Sequence, residues 1–319
     1  MNIKYILITL GEPYSTFSEI IGKYFIKKRN FKKKIILIGN KKLLHKQLKK
    51  LNYSFNLNQI TNIEDSKNNM LNIINVEFKY SKVFSIIDDK SNSYIKKSFD
   101  ISLNILKHNK ECILINGPIS KKTFLKKKYL GITEYLSKKT RTKDEVMLIY
   151  NEKLSVTPIT THIPIKYVTK KIKKKIINNK IIKLNNFFKK ILKKKIKIAV
   201  LGLNPHCETI DKFNEDEKII KPSIKYLKNK GLNINGPYSA DTFFLKKNIN
   251  KFDLVVGMYH DQVLTPIKTL LNFKAINITV GLPFIRISPD HGPNSIMLGK
   301  NRSDPSSFFY AMRFIEKLK

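Results

Sequence analysis

Three of the six histidines stand at the ends of predicted strands. His162 closes "VTPITTH", His206 closes "IAVLGLNPH" and His260 closes "LVVGMYH". Ligands bind at the carboxyl ends of strands in α/β sheets, so three imidazoles at one edge would suit a divalent cation with open positions for substrate. A single strand-end histidine is more often a hydrogen-bonded loop residue, and the sequence leaves both interpretations open. His45 and His108 lie on lysine-rich helical segments and are predicted to be surface residues.

Further polar groups are expected at the same edge of the sheet. Asp241 lies in "GPYSADTFF", and Asp261 comes directly after His260. Three more side chains could hold a phosphate or a carboxylate, namely Lys268, Asn277 and Arg286. An arginine does so with two parallel hydrogen bonds. The patterns G-x-G-x-x-G, G-x-x-x-x-G-K-[ST] and G-x-S-x-G are all missing from the sequence. The common dinucleotide-binding, phosphate-loop and serine-hydrolase motifs are therefore excluded.

Strand-like and helix-like segments alternate along the chain, which predicts an α/β fold with a largely parallel sheet. The strand-like segments are 3–11, 33–40, 112–118, a pair within 145–161 joined by a turn near 151–153, 196–206, 253–260 and 274–284. The helix-like segments are one that begins at Ser18, then 41–51, 91–110, 166–195 and about 214–230, and a last one that begins at Ser303.

The formal charge of +38 would suit a nucleic-acid partner, but its composition argues against one. Only five of the 62 basic residues are arginine, the residue that base and phosphate recognition favours. The excess of lysine accompanies an excess of isoleucine and asparagine, as in proteins of AT-rich genomes. We therefore predict no specific nucleic-acid binding. We interpret the lysine-rich segment 166–195 as a solvated helix face, in preference to a membrane or nucleic-acid element.

Nothing in the sequence indicates export or membrane insertion. The first apolar run ends at 11–13, too short for the core of a signal peptide, and no stretch reaches the ~18 apolar residues of a membrane span. Cys112 and Cys207 are too few and too far apart for a disulfide framework. These observations predict a cytoplasmic protein without membrane partners.

Several segments, in order, resemble those of the 4-hydroxythreonine-4-phosphate dehydrogenase family, PdxA, of vitamin B6 biosynthesis. They are "GEP" at 11–13, "NGP" at 116–118, "GITEYL" at 131–136, "TTHIP", "GLNPH", "GPYSADTFF", "MYHDQ" and "NITVGLPFIR…DHG". The resemblance implies a three-layer α/β/α fold with two subdomains, like that of isocitrate and isopropylmalate dehydrogenases. We place the subdomains at about 1–125 with 285–319, and at about 126–284. It also implies a homodimer with active sites at the subunit interface.

The resemblance assigns roles to particular residues. His162, His206 and His260 match the family's ligands to a divalent cation, which could be zinc, magnesium or cobalt. Substrate contacts fall on Thr133, Lys268, Asn277 and Arg286. The family's form of the segment 290–300 resembles the adenosine-binding loop of isocitrate dehydrogenases, which implies a cofactor role for His291 and Gly292. Asp241 and Asp261 are candidates for the proton acceptor, or for orienting a metal-bound histidine.

The implied reaction is oxidation of the C3 hydroxyl of 4-phosphooxy-L-threonine by NAD or NADP, followed by loss of CO₂ to give 3-amino-2-oxopropyl phosphate. A cation held by three imidazoles would lower the pKa of the hydroxyl, polarise the ketone and stabilise the enolate. Hydride would pass to the nicotinamide. Lys268 and Arg286 would neutralise substrate anions.

The chain departs from the family pattern at four places. Ile132 replaces a substrate-contacting histidine and cannot donate a hydrogen bond, at a cost of about 1–3 kcal/mol. Residues 14–17 replace a glycine-rich loop, and Val263 replaces a glycine, so strain is expected at both. Pro293 and Asn294 replace Thr-Ala after "DHG", where weaker cofactor binding is expected.

Two alternatives follow. The chain could be a dehydrogenase of another four-carbon phosphorylated hydroxy acid, because Ile132 removes a substrate contact. It could also be a catalytically decayed, basic, nucleic-acid-binding homologue.

Overall fold

The computed structural model describes residues 2–28, 30–126, 128–272, 274–289 and 292–318. The chain forms two compact units, of which the first comprises Met1–Thr140 with Pro283–Lys319 and the second comprises Arg141–Leu282. The boundary expected near residue 125 stays a prediction, and the first compact unit of the structure extends to Thr140. The reason is local packing: the ring of Tyr135 contacts those of Phe99 and Phe124 at centroid distances of 5.8 and 5.3 Å.

The strands are β1 Tyr5–Thr9, β2 Lys34–Gly39, β3 Leu57–Ile60, β4 Leu71–Asn75, β5 Cys112–Asn116, β6 Val146–Tyr150, β7 Ser155–Thr160, β8 Ile198–Leu201, β9 Ile234–Tyr238, β10 Leu254–Tyr259, β11 Ile276–Val280 and β12 Arg286–Pro289. The central strands carry long apolar runs, as is typical of strands buried on both faces, whereas β3, β9 and β12 are mixed in composition.

The helices mostly present one apolar face to a sheet. They are α1 Phe17–Lys27, α2 Lys41–Lys50, α3 Asn92–His108, α4 Ile132–Lys139, α5 Val168–Lys171, α6 Lys174–Lys190, α7 Lys221–Asn229, α8 Ala240–Phe243, α9 Lys246–Ile249, α10 His260–Leu271 and α11 Ser306–Lys317. Short 3-10 turns lie at Asp89–Ser91, Ile165–Tyr167, Pro205–Cys207 and Ser295–Met297, and a π-helical turn spans Asp216–Ile220.

The sheet of the first unit has the order β3-β4-β2-β1-β5-β12, with parallel neighbours throughout. The carboxyl ends of β1 and β5 lie side by side, since Thr9 pairs with Asn116. The "GEP" and "NGP" loops therefore leave the sheet next to each other.

The sheet of the second unit has the order β11-β6-β7-β10-β8-β9. Strands β7, β10, β8 and β9 are mutually parallel, whereas β6 is antiparallel to both β7 and β11. The strands that precede His162, His260 and His206 are thus parallel neighbours, and their carboxyl ends lie at the same edge.

The predicted α/β class is confirmed, and so is the strand pair within 145–161. The predicted helix over 166–195 is interrupted at Ile172 and Lys173, between α5 and α6. Helix α6 buries Ile177, Ile181 and Leu184 and exposes the lysines at both of its ends. Lys180, in its middle, is half-buried, and its Nζ donates to the Ile159 carbonyl at 2.8 Å. None of the helices within the described ranges is long and apolar enough to cross a membrane.

Candidate functional site

Arg286, the first residue of β12, is completely buried in the first unit. Its Nε donates a hydrogen bond of 2.6 Å to Oδ1 of Asn116, which ends β5. Its Nη1 donates to Oγ1 of Thr133 on α4 at 3.2 Å. A planar guanidinium held at two of its nitrogens presents its remaining N–H groups in a fixed direction. The structure thus joins two of the predicted substrate-binding residues, Thr133 and Arg286, and adds Asn116.

Removing the charged guanidinium of Arg286 from water costs free energy, because the side chain is completely buried. Burial lowers its pKa to about 9, and the nearby carboxylate of Glu134 opposes that shift. The guanidinium still carries its positive charge at neutral pH. A buried cation of this kind gains more from binding a phosphate or a carboxylate than an exposed one, because the surrounding medium screens the attraction less.

Glu12 in the "GEP" loop is another buried carboxyl-bearing residue of this unit, with 1% of its surface exposed. Its Oε2 accepts a hydrogen bond from Ser91 Oγ at 3.3 Å, whereas Oε1 is buried and has no partner among the described residues. Burial raises the pKa of Glu12 to about 7, although hydrogen bonds from Ser91 and the Tyr14 backbone oppose the shift. The carboxyl can therefore exchange a proton near neutral pH.

Glycine is needed where the "GEP" and "NGP" loops touch. Gly11 has a φ of +73°, and a Cβ built on it would lie 2.4 Å from the carbonyl oxygen of Pro118. Next to it, Glu12 N donates to that same carbonyl oxygen at 2.8 Å. The two loops form one rigid unit above the ends of β1 and β5.

The strain expected in residues 14–17 is not observed. The backbone of these residues stays outside the left-handed region, and their side chains are buried. Phe17 packs edge-on against Phe308 at 5.6 Å, and Thr16 N donates to the Pro293 carbonyl at 3.1 Å. Large side chains fill this loop, so it needs none of the turns that glycine permits.

Of the two predicted cofactor residues, the structure describes Gly292. His291 lies outside the described residues. Gly292 is exposed, and a Cβ built on it would meet no atom within 4 Å. The contact between Thr16 and Pro293 shows that the N-terminal loop supports this segment.

His162 and His260 come together in the second unit. Their ring centroids are 5.7 Å apart, with the planes inclined by 40°. His260 begins α10, and its Nδ1 pairs with Oδ1 of Asp261 at 2.9 Å. A carboxylate on one ring nitrogen orients the ring and leaves the other nitrogen, Nε2, for a ligand.

His206 lies on the neighbouring loop, after β8. His162 and His206 both have left-handed backbone angles, with φ of 52° and 55°. Such angles are uncommon outside glycine and cluster at functional sites. The loop that carries His206 is held by the fully buried Asp216, whose carboxylate accepts hydrogen bonds from the Leu203 and Asn204 backbones at 2.9 and 3.1 Å.

The histidine pair is compatible with one divalent cation. Two imidazoles at metal–nitrogen distances of about 2.0–2.1 Å put their ring centres about 5 Å apart. The observed 5.7 Å is close to that value. In the part of the chain that the structure describes, however, no group of three or more His, Cys, Asp or Glu side chains is placed to hold a metal. The three-histidine set therefore stays a prediction.

Asp241 is exposed and lies near His206, on α8. Ser239 Oγ and Thr242 N both donate to its Oδ1, at 2.6 and 2.7 Å. The hydrogen bond from Ser239, with smaller contributions from Thr242 and His206, lowers the pKa of Asp241. This carboxylate is therefore ionised at neutral pH.

The other predicted substrate residues of the second unit, Lys268 and Asn277, lie on different elements. Lys268 lies on an exposed face of α10. Asn277, on β11, is half-buried, and its Oδ1 is buried without a partner among the described residues. Such an acceptor could receive a hydrogen bond from a ligand.

The strain expected at Val263 is likewise not observed. Val263 lies in the first turns of α10, is completely buried and has a helical backbone. It packs beside Gly257, where a Cβ would lie 2.5 Å from Val263 Cγ1. Ile132, the residue that replaces the family histidine, begins α4 and is half-buried next to Thr133.

Sequence reasoning missed the burial of Glu12 and the role of Asp216. Glu12 follows an ordinary loop pattern, and Asp216 lies in the acidic stretch "NEDEK", which is typical of a surface. The sequence contains no signal for either, because both depend on contacts made after folding.

Residues 31–315 match the family described as pyridoxal phosphate biosynthetic protein PdxA. The chain is 38% identical over 321 residues to a 4-hydroxythreonine-4-phosphate dehydrogenase of Sulfurihydrogenibium sp., covering 98% of this chain and 97% of that protein. It is 35% identical over 191 residues to a D-threonate 4-phosphate dehydrogenase of Pectobacterium atrosepticum, covering 60% of this chain and 59% of that protein.

Solved structures agree. The crystal structure of 4-hydroxythreonine-4-phosphate dehydrogenase from Klebsiella pneumoniae superposes with a TM-score of 0.84 at 25% identity, over 99% of both chains. Isocitrate dehydrogenase from Methylococcus capsulatus superposes with a TM-score of 0.51 at 10% identity, over 98% of this chain and 85% of that one, which shows a shared fold.

Proposed function

This chain belongs to the family of the pyridoxal phosphate biosynthetic protein PdxA, and from that membership we propose that it oxidises the C3 hydroxyl of 4-phosphooxy-L-threonine with NAD or NADP. The β-keto acid formed then loses CO₂ and leaves 3-amino-2-oxopropyl phosphate, a step of pyridoxal 5'-phosphate biosynthesis. The dehydrogenase names of relatives that match almost end to end support an oxidoreductase.

The buried Arg286 is the observation that carries the proposal. A guanidinium fixed by Asn116 and Thr133 suits a bidentate contact with a phosphate or carboxylate of the substrate. The substrate carries both groups. Binding would place an anionic group of the substrate beside the buried guanidinium, so affinity and specificity would come from the same residue.

His162, His206 and His260 would hold a divalent cation, and the spacing of the first and last of these rings supports that role. When bound, such a cation supplies Lewis acidity to the substrate oxygen. A bound nicotinamide would supply the hydride acceptor. The chain's own contribution is to orient these groups: Asp261 fixes the ring of His260 through Nδ1.

Asp241 is our candidate for the proton acceptor at the C3 hydroxyl. It is ionised, exposed and close to His206, whereas Asp261 already pairs with His260. The orphaned Oδ1 of Asn277 would accept a hydrogen bond from the substrate, and Lys268 would neutralise one of its anionic groups. We also propose a homodimer with the active site at its interface, which light scattering would detect as twice the mass of the chain.

A second candidate is oxidation of another four-carbon phosphorylated hydroxy acid. The similarity to a D-threonate 4-phosphate dehydrogenase favours it, and so does Ile132, which offers no hydrogen bond beside Thr133. The two substrates differ at C2, where one has an amino group and the other a hydroxyl.

A panel assay decides between the candidates. The purified protein is incubated with Zn²⁺, Mg²⁺ or Co²⁺, NAD or NADP, and each of 4-phosphooxy-L-threonine, D-threonate 4-phosphate and D-erythronate 4-phosphate. Reduced nicotinamide is followed by absorbance. We expect the highest kcat/KM with 4-phosphooxy-L-threonine. Turnover confined to a threonate or erythronate phosphate would overturn the first candidate in favour of the second.

A further inference from the structure

Strands β8 and β10 lose their backbone pairing before they reach the histidine loops. Within the described residues, the parallel ladder between them ends where Val256 pairs with Val200. Beyond that point β8 leads to His206 and β10 leads to His260. Some other contact must set the distance between these two segments.

The side-chain amide of Gln262 supplies that contact. Its Oε1 accepts a hydrogen bond of 2.7 Å from Met258 N, at the end of β10. Its Nε2 donates one of 2.7 Å to the carbonyl oxygen of Gly202, just after β8. Gly202 is anchored on its other side, where its N–H donates to Tyr238 of β9 at 2.9 Å. The amide thus replaces the next rung of the ladder.

The surroundings leave the amide little freedom. A Cβ on Gly257 would lie 2.9 Å from Gln262 Oε1 and 2.5 Å from Val263 Cγ1, so the absence of a side chain there lets the amide sit against the strand. Thr160 Oγ1 donates to the Met258 carbonyl at 2.8 Å, which ties the end of β7 to the same residue. Met258 is therefore hydrogen-bonded directly to Thr160 of β7 and, through Gln262, linked to Gly202 after β8.

We propose that Gln262 is a positioning residue that sets the separation of His206 and His260 and so tunes the affinity for a divalent cation. This inference rests on the proposed function, because it takes these histidines as metal ligands. Gln262 itself does not touch the cation. It acts through the two backbone groups that its amide bridges.

The test is a Co²⁺ titration of metal-stripped protein, read from the visible d–d absorption of the bound ion. Gln262→Leu keeps the size of the side chain and loses both hydrogen bonds. Gln262→Glu keeps the acceptor for Met258 N and loses the donor to Gly202, which covers the case in which the leucine variant does not fold. The control is Leu227→Ala on α7, a fully buried residue of the same unit whose loss lowers stability away from the strand ends.

We expect Co²⁺ to bind both Gln262 variants about 10- to 100-fold more weakly than wild type, with an altered absorption band, as when groups around a metal site are removed. The control should keep the wild-type Kd and spectrum. Unchanged Co²⁺ binding in the Gln262 variants would overturn the role of Gln262 alone. A wild-type protein that binds no Co²⁺ would overturn the proposed metal site, and the positioning role with it.

Discussion

Replacing Glu12 by glutamine should change how stability depends on pH. The buried carboxyl has a pKa of about 7 in the folded protein and an ordinary value of 4.5. The folded state therefore holds its proton more tightly than the unfolded state, and ionisation above pH 7 destabilises the fold. A shift from 4.5 to about 7 corresponds to about 3 kcal/mol. This stabilising contribution is complete below the unfolded pKa and is lost as the pH rises through the folded pKa.

The amide of Glu12→Gln has the same shape and does not ionise, so the variant should lack this loss. Urea unfolding followed by circular dichroism at about pH 5 and about pH 8 gives the free energy of unfolding of both proteins. We expect the wild type to lose about 2–3 kcal/mol more than the variant between these values. The comparison of the two proteins cancels groups that titrate in both.

The matched control is Glu64→Gln, at an exposed position of the same unit. It should follow the wild-type pH dependence. If Glu12→Gln also follows the wild type, the carboxyl is not held in its neutral form by burial, and the reasoning about this loop is wrong.

Three further outcomes are expected. Gly11→Ala should lower the free energy of unfolding by about 3 kcal/mol or more, because a Cβ there meets the Pro118 carbonyl. The control Gly231→Ala has a φ of +80° and open space around it, and should lower that free energy by only about 1–2 kcal/mol. Equal losses in the two variants would contradict the clash at Gly11. Arg286→Lys should raise KM for the phosphorylated substrate at least about 10-fold, because an ammonium lacks the planar, forked N–H groups of a guanidinium. The same substitution at the exposed Arg302 should leave KM unchanged. An unchanged KM in Arg286→Lys would show that Arg286 does not bind the substrate. DNA binding measured by fluorescence anisotropy should disappear by about 150 mM salt, and tight binding above that concentration would favour the nucleic-acid alternative.

The sequence predicted the parts of this protein that depend on local pattern. Apolar runs ending in histidine predicted β7, β8 and β10, and the structure makes these strands parallel neighbours with a common edge. Element alternation was sufficient for the α/β class. The strands β3, β4, β9 and β12 were not predicted, because asparagine, glutamine, glycine, proline, serine or arginine interrupts their apolar runs, which read "LNQI", "LNIIN", "INGPY" and "RISP".

What the sequence could not predict depends on contacts between distant segments. Val263 was expected to strain a turn because a glycine stands there in the family, yet the position is helical and the space beside it is left by Gly257. The bridge made by Gln262 exists only because the ladder between β8 and β10 stops before the strands end. Similarly, the boundary at Thr140 follows from aromatic contacts of Tyr135 that no local pattern encodes.

The few arginines gain a physical explanation from the structure. Of the arginines within the described ranges, Arg286 is completely buried, whereas Arg141, Arg302 and Arg313 are exposed. On a surface, lysine serves nearly as well as arginine, so a bias toward lysine costs little. At Arg286 the fork holds both Asn116 and Thr133 at the ends of separate elements, and a lysine ammonium could not keep both bonds and still face an anion. The buried Arg286 therefore has a geometric reason to be arginine that the exposed Arg141, Arg302 and Arg313 lack.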